Sequence, residues 1–293
     1  MTEPISVAVR RGGFVESVHE VHAVAVRDGE VVAAAGDPGF LTSLRSSAKP
    51  FQALPLVRSR TDLDEADVAI ASASHRAEPA QMAAVRRLLA KAPATEEELE
   101  VGLQEGRPPE RIYHNCSGKH AGMLATCRAR GWESRGYRLA EHPLQREILA
   151  EIAEAADTDD IETAVDGCGV VCFALALERV ALMFSRLERR DGGARVGAAM
   201  RAHPRLVGGS GSVDTELMEA LSGWIAKGGA EGLLCATGPG GLGVCVKVTD
   251  GNYRAQRPAL AAFLGELGYE LEGFARIPLR NSRGEEVGAV TTL

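Results

Sequence analysis

Val21-His22-Ala23-Val24-Ala25-Val26-Arg27-Asp28-Gly29-Glu30-Val31-Val32-Ala33-Ala34-Ala35 reads as a β-hairpin. Two β-rich arms, residues 21–27 and 30–35, flank Asp28-Gly29, a pair suited to the left-handed backbone of a tight turn. Residues 6–10 and 15–18 are β-rich as well, so the chain opens as strands. Strands return at the other end. Residues 232–237 and 243–248 flank Gly238-Pro239-Gly240-Gly241, a second hairpin, and residues 287–293 form a last strand. From about residue 50 to residue 202 the periodicity is helical. Residues 80–92 carry Met82, Val85, Leu88 and Leu89 on one face, and residues 144–156 do the same with Ile148, Leu149 and Ile152. Residues 258–267 form a final helix with its proline in the first turn. Strands at both ends around a helical middle predict an α+β fold. Its sheet is mostly antiparallel, built from the N- and C-terminal strands and flanked by helices. No low-complexity linker or repeat divides the chain, so residues 1–293 are expected to form a single domain.

Composition narrows the function. The 293 residues are 45% hydrophobic and 25% charged, ordinary for a globular protein with a sizeable core. A net charge of -7 and 4% aromatic residues argue against nucleic acid or an anionic membrane as partner. No secretory pattern and no membrane-length apolar run is seen, so a cytoplasmic enzyme is expected. Six cysteines are then free, buried or metal-bound rather than paired as disulfides.

Four polar segments carry the chemistry. Asn115-Cys116-Ser117-Gly118-Lys119-His120 packs an amide, a thiol, a hydroxyl, an amine and an imidazole into six residues. A buried core would have to satisfy each of those groups, so the run reads as a site lining. Arg45-Ser46-Ser47-Ala48-Lys49-Pro50 has Ser-x-x-Lys spacing, which puts Ser46 and Lys49 on one helix face. A desolvated lysine there can lose its proton and serve as base for the serine; the plainer reading is a capping serine with a surface lysine. Ser74-His75-Arg76-Ala77-Glu78-Pro79 is either a proton-transfer set or a capped loop. Asp166-Gly167-Cys168-Gly169 adds a second cysteine in a turn. Cys116 and Cys168 suit zinc, with His120, Asp166 or a neutral Lys119 as a further ligand, but two buried cysteines are the alternative. Lys247, on residues 244–248, is either a second base facing a cleft or a lysine on a solvated sheet face. The glycine-rich run 208–212 lacks a nucleotide-binding lysine, so ATP is not expected.

Together with Arg11-Gly12-Gly13, His203-Pro204, Asp214-Thr215 and Lys227-Gly228-Gly229-Ala230-Glu231-Gly232, these segments resemble the type II L-asparaginase family of the Rhizobium etli inducible kind. The likeness spans nearly the whole chain. It implies a fold similar to serine β-lactamases and glutaminases and a serine-lysine hydrolase that converts L-asparagine to L-aspartate and ammonia through an acyl-enzyme. It also implies pairing of Ser46 with Lys49 and of Ser74 with Lys247, and zinc held by Cys116, Lys119 and Cys168 with Asp166 nearby. Arg45, His75, Glu78, Asn115, His120 and Asp166 would line the substrate pocket, and the protein would form a homodimer. Gln81, Val171 and Ser212 depart from the family's usual residues. A glutaminase, another serine-lysine amidase or β-lactamase-like hydrolase, and a non-catalytic zinc-dependent amino-acid binder are the other readings.

Overall fold

The computed structural model describes residues 3–293. The strands are β1 (Ile5–Arg11), β2 (Phe14–Arg27), β3 (Glu30–Ala35), β4 (Leu41–Ser43), β5 (Glu162–Val165), β6 (Val171–Ala176), β7 (Ile225–Gly228), β8 (Leu233–Gly238), β9 (Leu242–Val248), β10 (Arg276–Arg280) and β11 (Glu286–Thr292). The helices are α1 (Lys49–Gln52), α2 (Leu54–Ser59), α3 (Glu65–Ala71), α4 (Pro79–Lys91), α5 (Ser117–Arg130), α6 (Pro143–Ala156), α7 (Leu177–Arg186), α8 (Gly193–Ala202), α9 (Pro204–Gly208), α10 (Val213–Ala220) and α11 (Gln256–Glu266).

The large sheet runs β10-β11-β1-β2-β9-β8-β7, with β3 pairing the far half of β2. Its neighbours are antiparallel throughout. Both ends of the chain meet in it, Val7 opposite Thr292. The two short strands expected ahead of the hairpin, residues 6–10 and 15–18, are β1 and the opening of β2, which runs unbroken from Phe14 to Arg27. That length lets β2 pair β1 with its first half, β3 with its second, and β9 along the opposite edge.

Helix α7 crosses one face of β2, β8 and β9. It lies so close that a Cβ on Gly243 would sit 2.0 Å from the Ala181 carbonyl oxygen, which is why glycine occupies that position. Thr237 Oγ1 ties β8 to the same helix by donating to the Phe184 carbonyl at 2.7 Å. Helix α11 covers the opposite face, under β1, β9, β10 and β11. The remaining helices form a layer beyond α7, joined to it by contacts such as Phe51 edge-on to Phe184.

The middle of the chain is not wholly helical. Strands β5 and β6 interrupt it and pair with β4 in a small antiparallel sheet, β4-β6-β5, whose β5–β6 turn carries Cys168. Among the described residues no helix is long and apolar enough to cross a membrane.

Candidate active site

The loop after β4 enters a left-handed residue, Arg45 at φ 45°, before a tight helical turn over 45–48 that leads into α1. A non-glycine residue in that region stores backbone strain, held here by the Leu44 amide donating to the Phe173 carbonyl at 2.8 Å. The turn sets Ser46 on a cavity of about 280 Å³ and buries Lys49 completely one turn on. Lys49 Nζ donates to the Ala73 carbonyl at 2.6 Å and to Ser74 Oγ at 2.9 Å. The lysine therefore hydrogen-bonds Ser74, whereas Ser46 Oγ, on the same cavity, makes no hydrogen bond among the described residues. Burial pushes the Lys49 ammonium below the ordinary lysine range, helped by Lys119 and Lys227 and opposed by Cys116 and Cys168.

A second lysine does share this cavity, but it is Lys227, not Lys247. Lys227 is the next-to-last residue of β7, fully buried, with Nζ donating to Asp214 Oδ2 at 2.5 Å and to the Gly228 carbonyl at 3.0 Å. Asp214 Oδ1 also accepts the Gly228 amide at 3.0 Å, so one carboxylate fixes both the amine and the strand that carries it. Lys247 Nζ instead donates to the Val248 carbonyl and lies 5.9 Å over the Phe40 ring. Strand register is the physical reason. Lys227 faces Cys235, which faces Cys245, while Lys247 faces Leu233 one step further along. Two strand spacings and two residues of rise separate the two lysines' backbones by about 12 Å. The expected pairing of Ser74 with Lys247 gives way to a cavity holding Ser46, Ser74 and Lys227.

Other expected residues divide. Asn115 lines the cavity, and its carbonyl accepts the His75 amide at 3.1 Å. The His75 ring does not line it. Its neighbours Ser74 and Arg76 do, so the chain here turns those two side chains one way and His75 the other. His75 Nδ1 accepts the Ala77 amide at 3.2 Å, leaving Nε2 to donate to Ser117 Oγ at 2.7 Å inside the core. Desolvation first, then the charges of Lys49 and Arg107, lower its pKa to about 3. Glu78 acts on the cavity at one remove, by accepting the Ser210 amide at 2.8 Å and so holding loop 208–212.

Beside the cavity lies a buried thiol cluster. Cys116 and Cys168 are both buried there, and Lys119 Nζ donates to Cys168 Sγ at 3.0 Å. The Cys168 contact and the lysines hold the Cys116 thiol well below its ordinary range despite burial. Burial works to lower the pKa of Lys119, but the two sulfurs raise it on balance. Asp166 Oδ2 accepts from Cys168 at 3.8 Å, while its Oδ1 takes Arg45 Nε at 2.6 Å. His120 bonds the Tyr137 hydroxyl through Nδ1 at 2.7 Å, and its buried Nε2 has no hydrogen-bond partner. Arg45, His120 and Asp166 thus belong to this cluster rather than to the cavity lining. Among the described residues no group of three or more His, Cys, Asp or Glu is placed to hold a metal, so any metal here needs the lysine amine.

The match to the L-asparaginase II family runs from residue 7 to residue 292. This chain belongs to the L-asparaginase II family. No curated protein matches it. Among solved structures, Mglu in its native form at high salt resembles this family member with a TM-score of 0.52 and 15% identity, covering 89% of this chain and 65% of that one. The chain therefore spans about two thirds of Mglu. Weaker likenesses are a probable glutaminase from Bacillus subtilis (TM-score 0.41, 14% identity, 86% and 85% covered) and a β-lactamase from Mycobacterium bovis (0.38, 16%, 84% and 94%). The fold of this L-asparaginase II family member is thus the expected α+β arrangement, and the family supports amidohydrolase activity on a small molecule.

Lys227 and Asp214 lie in motifs that carry the family resemblance, yet spacing alone gives neither a role. The available signal is a lone cation at the end of the apolar run Trp224-Ile225-Ala226, followed by two glycines. A lysine so placed on a buried strand needs a partner.

Proposed function

We propose that this L-asparaginase II family member hydrolyses the side-chain amide of L-asparagine through an acyl-enzyme on Ser46. The observation that carries the reading is the fully buried Lys49 within 2.9 Å of Ser74 Oγ, on a cavity that also takes in Ser46. A lysine desolvated in this way is neutral over more of the pH range and accepts the Ser46 proton, directly or through Ser74. Ser46 Oγ attacks the amide carbon. Among the described residues the Ser46 and Ala230 amides have no hydrogen-bond acceptor, which suits them to the oxyanion; one such donor contributes about 10²–10³-fold. The departing ammonia takes its proton from Ser74, itself resupplied by Lys49. Lys227, held by Asp214, supplies positive charge beside the reacting carbonyl. Water then cleaves the aspartyl ester by the reverse proton path.

The donor types of the thiol cluster suit zinc: two buried thiols, an amine 3.0 Å from the Cys168 sulfur, and a buried His120 Nε2 without a hydrogen-bond partner. Cys116, Cys168 and Lys119 would hold the ion, which when bound supplies a fixed positive charge for orienting polar substrate groups. A homodimer in the cytoplasm completes the proposal, and six free cysteines accord with a reducing compartment.

The test is ammonia release from L-asparagine and L-glutamine separately, with zinc determined on the same sample. Expected results are release from asparagine far above glutamine, loss of turnover in Ser46→Ala, and loss of zinc in Cys168→Ser. Glutamine as the better substrate points to a glutaminase; zinc with no ammonia from either points to an amino-acid binder. The Lys49–Ser74 hydrogen bond favours one variant reading, in which Ser74 is the nucleophile. Mass spectrometry of the trapped acyl-enzyme locates the ester on one serine or the other.

A further inference from the structure

We infer that Arg76 is the residue that binds the substrate's α-carboxylate, and so restricts this cavity to amides that carry a free carboxylate. The inference rests on the proposed amidase reading.

The cavity wall carries three long cationic side chains: Arg76, Lys227 and Arg257. Two already face carboxylates. Lys227 pairs with Asp214 at 2.5 Å, and Arg257 pairs with Glu216 at 2.6 Å and donates to the Gly211 carbonyl at 3.0 Å. Arg76 has no carboxylate partner among the described residues; its one hydrogen bond from the guanidinium goes to the Ser210 carbonyl at 2.8 Å, leaving the other donors of the fork open.

Its placement is built rather than incidental. The Arg76 amide is held by Gln81 Oε1 at 2.8 Å, and Gln81 Nε2 in turn donates to the Arg205 carbonyl at 2.9 Å. Gly209 leaves space for the arginine stem: a Cβ there would stand 3.0 Å from Arg76 Cγ and Cδ. Ser74 and Arg76 both line the cavity whereas His75 between them does not, so two side chains whose Cα atoms are at most about 7 Å apart reach the same space. An amino-acid amide with its carbonyl at the serines therefore has its carboxylate within reach of a guanidinium, whose planar fork matches a carboxylate.

Kinetics on the purified full chain test this. Arg76→Gln should raise KM for L-asparagine about tenfold, the range of one charge-assisted contact, with kcat within about twofold, and Arg76→Lys should fall between. Turnover of 3-aminopropanamide, which is asparagine without its α-carboxylate, should be the same in wild type and Arg76→Gln. An unchanged KM for L-asparagine, a loss carried by kcat alone, or equal losses on both substrates overturns the inference and leaves Arg76 a support for loop 208–212. If the wild type releases no ammonia from L-asparagine, the proposed function fails, and calorimetry with L-aspartate still decides the inference. Binding about tenfold weaker in Arg76→Gln sustains it; equal binding, or none to wild type, overturns it.

Discussion

His75 uses both ring nitrogens inside the core, and that use gives it a pH signature. Its pKa falls from 6.5 to about 3, so the folded protein keeps the ring neutral where the unfolded chain protonates it. Above pH 6.5 both states are neutral and His75 adds no pH dependence. Below it the unfolded state binds the extra proton, and stability is lost, at up to about 1.4 kcal/mol per pH unit, until the folded ring titrates near pH 3. Urea midpoints between pH 3.5 and 7 should fall on the acid side. His75→Gln should flatten that limb and cost about 1–3 kcal/mol at pH 7 by unmaking a buried hydrogen bond. A midpoint profile unchanged in shape would show that another group sets the limb. At this scale the sequence reads unevenly. Ser46, Lys49 and Ser74 were marked by the family resemblance, since the Ser-x-x-Lys spacing by itself reads more plainly as a capping serine with a surface lysine. His75 has the same polar character but faces the other way, and which side chain of a loop meets a cavity depends on partners far along the chain.

Register and close approach act on whole elements. Gly118 sits in the first turn of α5, where a Cβ would meet the Ile70 carbonyl oxygen of α3 at 2.2 Å. Gly122, one turn on, would bring a Cβ to 3.0 Å from that of Ala71. These glycines let α5 press onto α3, which places Asn115 and Cys116. Gly118→Ala should therefore destabilise by about 1–3 kcal/mol, an overpacking cost, where an exposed helical glycine would gain from the same change; thermal unfolding reads the sign. Strand register separates the two lysines. Lys227→Ala should lower kcat/KM by about 100-fold or more, on the scale of a lost electrostatic stabiliser, while Lys247→Ala should stay within about threefold. The reverse result would return Lys247 to the site. The hairpins and the helices over 79–91 and 143–156 were legible from their periodicity within a residue or two. Strand β7 was not, because Ile225–Gly228 is too short to show alternation and is defined by its pairing with β8.

In the molecule as a whole, the reactive groups come from both layers. Ser46, Lys49 and Ser74 belong to the helical layer and Lys227 to the sheet, so the cavity lies at their seam. The overall α+β plan was readable because the terminal strands and helical middle differ in period; the small sheet was masked by its short strands. Six cysteines sit in these parts, all buried: Cys235 and Cys245 in central strands, Cys127 in α5, Cys116 at the start of that helix, and Cys168 and Cys172 around the small sheet. A folded molecule thus offers an alkylating reagent almost nothing to reach, and each thiol becomes a clock that starts when its own surroundings open. Timed labelling followed by peptide mass mapping should mark the small-sheet pair first and the central-strand pair last, at the pace of global unfolding. The chain thereby contains its own record of the order in which it comes apart.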